Sequence, residues 1–179
     1  MNNSLTRSKY AEESSWLDAA NSVKLLNPLS ADLNVMRQTL LFGGLETIAY
    51  NQNRKTTDLR LFEFGRTYKY FSGKAVSGQN LSPYDEHENL AIWISGRQDP
   101  ESWRTSDEKA DFFTLRATVH DVLLRLGFSI KQFEKSRFSD DLFEEGLAYA
   151  FRQEVIIKLG LLKKKELKKV LDKKKTLRY

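Results

Sequence analysis

The sequence contains no cysteine, which excludes disulfides and thiolate metal sites outright. Histidine is nearly absent too. His87 and His120 are the only two, too few and too far apart for a zinc site. No apolar run approaches the roughly 18 residues needed to cross a membrane. The opening Met1-Asn2-Asn3-Ser4 lacks the basic-then-apolar order of a signal peptide. The lack of cysteine permits a cytoplasmic location, and a soluble cytoplasmic protein with no membrane partner is the default expectation. No glycine-rich loop that cradles phosphate and no Gly-x-Ser-x-Gly elbow occurs. Asp140-Asp141 and Glu144-Glu145 offer oxygens to a hard cation, but their spacing fits no calcium loop, so solvated acids are the better reading. His87, in an acidic stretch, and His120, assigned to the polar side of a helix, read as solvated surface. A catalytic histidine needs a placed partner.

What is present supports a packed body. Apolar residues make up 40 % of the 179 and aromatics 12 %, enough for one domain with a sizeable core. The net charge of +5 is unevenly placed. From Lys158 to Tyr179 there are ten Lys or Arg against two acids, a local +8, so the preceding 157 residues sum to −3. A nucleic-acid reader spreads basic residues over a binding face. Here they sit at one end.

Residues 1–22 read as a polar lead-in with a short helix around Ala11–Ala20, and residues 23–179 as a single domain. Val23–Leu26 is a short apolar run that ends at Asn27-Pro28. Ser30 can cap a turn over Ala31–Leu33, and Asn34–Arg37 is expected to be extended. Thr39 is placed to cap a helix reaching about Arg54, with Leu41, Phe42, Leu45, Ile48 and Ala49 on one stripe and Gly43 and Gly44 outside it. Paired helical glycines cost about 1 kcal/mol each relative to alanine, a cost that close approach by a second helix or backbone offsets. Asp58–Phe71 predicts a long strand, apolar on both faces and so expected inside a sheet. Ser72–His87 reads as a loop, and Asn89–Ser95 as an antiparallel partner strand. Ser106 or Asp107 can cap a helix over Lys109–Leu126, whose buried face is Phe112, Leu115, Val119, Val122, Leu123 and Leu126, and Gly127 stops it. Phe128–Phe133 is expected to return as a strand. Leu147–Phe151 and Val155–Leu161 predict a hairpin around Arg152–Gln153. Lys163–Asp172 predicts a short basic helix. The layout is α+β, an antiparallel-rich sheet flanked by helices.

The most specific stretch is residues 23–70. Asn27-Pro28-Leu29-Ser30 is followed by Met36-Arg37, then by Thr39-Leu40-Leu41-Phe42-Gly43-Gly44-Leu45, Asn51, Asn53-Arg54 and finally Leu61-Phe62-Glu63-Phe64-Gly65-Arg66. In order and spacing this resembles the beta subunit of bacterial phenylalanine–tRNA ligase. Where that family carries His-Pro-Gly and Gly-x-Leu-His-Pro, this chain reads Glu144-Glu145-Gly146-Leu147 and Gly160-Leu161-Leu162-Lys163.

The resemblance implies a domain of a long multidomain chain that copies the class II aminoacyl-tRNA synthetase catalytic fold without performing the chemistry. The end at Thr176-Leu177-Arg178-Tyr179, in mid-pattern, is what excision from such a chain would leave. The alpha subunit would hold the active site in an alpha-beta heterotetramer that charges tRNA with phenylalanine using ATP and magnesium. This domain would therefore carry no catalytic, cofactor or metal residues. A class II site needs one arginine for the α-phosphate and another for the γ-phosphate. Arg66 stands near the first position, and no residue is recognisable at the second. Arg37, Leu41, Gly43, Gly44, Leu45 and Ile48 are expected at the subunit interface, with a structural ion pair to Glu63 or Glu46 as the plain alternative for Arg37. Trp93 and Trp103 read as core. Lys163, Lys164, Lys165, Lys168 and Lys169 are the residues available to RNA, and an autonomous RNA-binding module is the competing function.

Overall fold

A computed structural model describes residues 3–28, 30, 32–74, 83–99, 102–103 and 108–171. Among them lie four α-helices and seven strands in small antiparallel sheets, the α+β layout expected from the sequence. The chain divides into two compact units: Met1–Thr47 with Leu61–Ile92, and Ile48–Arg60 with Trp93–Tyr179.

In the first unit, β1 (Leu5–Thr6) pairs antiparallel with β2 (Val35–Met36), and α1 (Ser8–Glu12) follows β1. The segment read as a lead-in is thus part of the packed unit. Tyr10 of α1 is 3 % exposed and its ring lies parallel to Phe42 at 4.2 Å. The helix expected over Ala11–Ala20 is displaced to α1, with a 3₁₀ turn at Ala19–Asn21 capped by Asp18. The turn assigned to Ala31–Leu33 lies partly outside the described residues, although the Leu33 N–H reaches the Ser30 carbonyl at 3.2 Å. The Thr39 hydroxyl accepts the N–H of Leu41 at 3.2 Å and opens α2 (Leu41–Gln52). Phe42 and Leu45 of the predicted stripe are buried, and so is Ile48, where the second unit begins.

β3 (Leu59–Tyr70) is hydrogen-bonded to β4 (Tyr84–Ser95). The Asn89 amide reaches Thr67 Oγ1 at 2.8 Å, and the Phe71 N–H reaches the Pro83 carbonyl at 2.8 Å, so the strands run antiparallel. β4 begins inside the stretch read as a loop, of which residues 75–82 lie outside the described set. The expectation that β3 sits within a sheet is corrected. Among the described residues it pairs with β4 alone, and Phe62 and Phe64 are exposed. Apolar side chains on both faces report that both faces favour cover, not that a strand lies on either side.

In the second unit, α3 (Phe112–Arg125) is capped by Asp111, whose carboxylate accepts the Thr114 N–H at 2.9 Å while Thr114 returns a bond to the Asp111 N–H. Those amide bonds hold the Asp111 carboxyl below the usual range. Ser106 and Asp107, the expected caps, lie outside the described residues. Val119 and Leu123 are buried, whereas Leu126, placed by the sequence on the buried face, is 66 % exposed because the helix ends before it and Gly127 turns away at φ 83°. Phe128–Phe133 is not a strand. A 3₁₀ turn at Ile130–Gln132, boxed by Ser129 and Gln132, delays the strand to β5 (Glu134–Phe138).

β6 (Phe143–Phe151) and β7 (Glu154–Leu162) form the predicted hairpin, giving a sheet of order β5-β6-β7. Its turn places Arg152 at φ 51° and Gln153 at φ 68°, the left-handed pair that a two-residue hairpin loop requires. Asp140 accepts the N–H groups of Leu142 and Phe143 at 2.9 and 2.8 Å, so this acid organises the entry to β6. The predicted basic helix appears as α4 (Lys164–Leu171). Aromatic rings fill this unit: Phe133 lies 5.9 Å from Phe128, 6.3 Å from Tyr149 and 5.7 Å from Phe151. Trp93 is buried at 9 %, but Trp103, also read as core, is 89 % exposed.

Candidate subunit interface and the neighbouring arginines

The six residues expected at an interface fall into three environments. Arg37 is 5 % exposed. Its Nη1 lies 2.7 Å from Glu63 Oε1, and Nε donates to the Arg66 carbonyl at 2.9 Å. Its backbone carbonyl accepts the Tyr68 N–H at 2.9 Å, so the residue holds β3 through both side chain and main chain. Gly44, Leu45 and Ile48 are buried within the chain, and Leu41 and Gly43 are half-buried. Gly44 therefore sits inside, not outside, the apolar stripe. The Gly43 carbonyl accepts the Thr47 hydroxyl at 2.9 Å, a local bond on the polar side of α2.

Gly65 explains how Arg37 fits. A Cβ built there would overlap the Arg37 guanidinium and touch Leu40, so only glycine leaves room for the arginine over β3. Glu63, on the same face, is 8 % exposed. A buried charge pair of this kind holds only with good geometry and further hydrogen bonds, and the bond to the Arg66 carbonyl supplies one of them.

Arg66 lies on the opposite face of β3. Its guanidinium is over half exposed and lies 3.2 Å from Glu88 and 3.5 Å from Glu86. Sequence reasoning named Glu63 as one possible partner for Arg37 but did not foresee these two glutamates. Their signal was the acidic run Asp85-Glu86-His87-Glu88, which lies on β4 and not in a loop. His87 stays exposed, 3.0 Å from Asp85.

The second unit holds polar features that sequence reasoning missed: Glu166 of α4 is fully buried, and His120 has a buried partner. His120 is half-buried, and its Nε2 lies 2.8 Å from the hydroxyl of Tyr149, which is fully buried. The solvated reading of His120 is therefore corrected. Burial lowers its pKa first, and the charges of Arg116 and Lys135 add to that, against a smaller rise from Asp121. Of the basic residues, Lys164, Lys165 and Lys168 are exposed on α4 and Lys163 is half-buried before it. The side chain of Lys169 and residues 172–179 lie outside the described set.

Among the described residues no three His, Asp or Glu side chains converge to hold a metal ion. Arg66, the candidate clamp for ATP, is faced by two carboxylates. Among the described residues, too, no helix is long and apolar enough to cross a membrane.

The fold and its buried pair define an α+β chain in which Arg37 is turned inward to hold a strand. The chain belongs to the family described as the phenylalanyl tRNA synthetase beta chain CLM domain, whose model matches residues 1–170. It is 44 % identical over 147 residues to the phenylalanine–tRNA ligase beta subunit of Bacteroides fragilis, covering 82 % of this chain and 18 % of that protein. The beta subunit of Bacteroides thetaiotaomicron is 43 % identical over 148 residues, and that of Porphyromonas gingivalis 40 % over 147. The chain thus spans less than a fifth of the length of these curated relatives, 18 % in each case.

Proposed function

We propose that this chain is the noncatalytic structural and subunit-assembly domain of a cytoplasmic phenylalanine–tRNA ligase, a copy of the class II synthetase catalytic fold. In the alpha-beta heterotetramer it supports charging of tRNA with phenylalanine by the alpha subunit, which holds ATP and magnesium. Besides family membership, one observation carries the noncatalytic part of this reading: Arg66 is bound to Glu86 and Glu88. A phosphate approaching that guanidinium meets two carboxylates, whereas phosphoryl and adenylyl chemistry depends on preorganised positive groups. Losing one such clamp costs on the order of 10²–10³-fold in rate.

For assembly, Leu41 and Gly43 are the two of the expected α2 residues that stay half-open to a partner, while Leu45 and Ile48 support the helix from inside. Arg37 contributes by holding β3. The test is co-expression of the full-length beta subunit with its alpha subunit. Gly43→Trp is expected to weaken heterotetramer assembly in sedimentation while leaving the thermal midpoint of the beta subunit near its original value. Unchanged assembly would remove α2 from the interface. No observation favours the competing RNA-binding module.

A further inference from the structure

β3 presents two different faces. Glu63 and Thr67, two of its odd-numbered residues, are buried at 8 % and 7 %. On the even-numbered side, Phe62 and Phe64 are 73 % and 67 % exposed, with their rings edge to face at 6.4 Å. The bond between Asn89 and Thr67 puts Asn89 on the inner side of β4, and strand alternation then puts Leu90, 38 % exposed, on the outer side with the two phenylalanines. At one end of this apolar strip stands the charged group Arg66, Glu86 and Glu88. An apolar centre with a charged rim is the anatomy of a surface that is covered. A two-stranded ribbon with one bare face is also marginal by itself.

The size of the strip decides what kind of cover it fits. At these exposures the two rings offer roughly 300 Å². A stable interface between separate molecules takes about 800 Å² from each partner. So small a patch does not hold a free partner, but it suffices for a tethered one, because a covalent linker raises the effective concentration to the millimolar range. Relatives of this chain supply such a tether, since the chain spans only 18 % of their length.

We propose that the Phe62–Phe64–Leu90 face is an intramolecular docking surface, covered by a neighbouring domain of the same beta polypeptide. The covering surface is apolar at its centre and carries Lys or Arg at the edge that meets Glu86 and Glu88, whose two charges exceed the one of Arg66. This inference rests on the family and on the ribbon, not on the proposed contact through α2.

The absence of cysteine from these 179 residues gives a direct test. Phe64→Cys, and separately Phe62→Cys, are placed in the full-length beta subunit, with any cysteine elsewhere changed to serine. Asp121→Cys on the exposed side of α3 serves as the control. Maleimide labelling is followed in the beta subunit alone and in the alpha-beta complex. The expected result is labelling at position 64 or 62 slowed ~10-fold or more relative to position 121 in the beta subunit alone, as for a site reached only by local opening, with no further change on adding alpha. Fast labelling in the beta subunit that becomes slow only with alpha would overturn the proposal and assign the face to the subunit contact. Fast labelling in both would overturn it by showing a bare face. Failure of the subunits to associate would count against the proposed function and leave this result readable.

Discussion

The two units are held together by different chemistry. The first is pinned by a buried ion pair, Arg37 with Glu63, and by the stack of Tyr10 on Phe42. The second is filled by the rings of Phe128, Phe133, Tyr149 and Phe151, with His120 bonded to the Tyr149 hydroxyl beside them. Apolar contacts are non-directional and lose strength gradually as area is removed. A buried charge pair is all or nothing, because either partner alone is worse than neither. The first unit should therefore respond to substitution abruptly, and the second in proportion.

The largest expected effect tests the abrupt side. Arg37→Ala leaves Glu63 buried without its guanidinium and is expected to lower stability by about 3–5 kcal/mol in urea titration. Changing both partners, Arg37→Met with Glu63→Leu, should recover most of that loss. If the double variant were as unstable as the sum of the single ones, the pair would not be the unit of stability claimed for it.

Gly65→Ala comes next. Its methyl group meets the Arg37 guanidinium and is expected to cost about 1–3 kcal/mol by overpacking. That cost should shrink when Arg37 is already shortened to methionine, a dependence that a double-mutant cycle reads directly.

In the second unit, Tyr149→Phe keeps the ring packing and removes the bond to His120, with an expected loss of about 0.5–1.5 kcal/mol. The His120 pKa is lowered in the folded chain, so the unfolded chain takes up the proton first as pH falls. The contribution of neutral His120 is complete above its ordinary value near pH 6.5 and is lost as pH falls from there through the folded value. His120→Gln should flatten that part of the stability–pH curve, and NMR titration of the imidazole would check the direction.

The smallest effect is a gain. Arg152→Asn with Gln153→Gly suits the left-handed turn and is expected to add about 1 kcal/mol. No gain in the thermal midpoint would mean that neighbouring contacts already hold the turn.

The same contrast governs what could be read in advance. The β6–β7 hairpin, the start of α2 and the stop at Gly127 are set by residues within a few positions of one another, and each was legible. The Arg37–Glu63 pair, 26 residues apart, could be named only as one alternative among others. The partner of His120 lies 29 residues downstream, where helical periodicity carries no information, so the histidine was assigned to solvent. β5 was misplaced because Ser129 and Gln132 box a 3₁₀ turn inside an apolar run that otherwise reads as a strand. Phe62 and Phe64 were recognised as apolar, but the neighbour that covers them lies on no local pattern in this stretch.

The spacing of Arg37 and Glu63 along the chain also orders events during synthesis. At about 5–20 residues per second, the ribosome delivers Glu63 one to several seconds after Arg37. For that interval α1, β2 and the start of α2 exist without the strand that neutralises and anchors the arginine. The β6–β7 hairpin needs no such wait, since its strands are joined by two residues and hairpins close within about 1–10 μs. On the ribosome, the unit that is made first is therefore not the one that can close as it emerges. The early segment stays dependent on β3, and a pause in translation between residues 37 and 63 would prolong its exposure to chaperones and proteases.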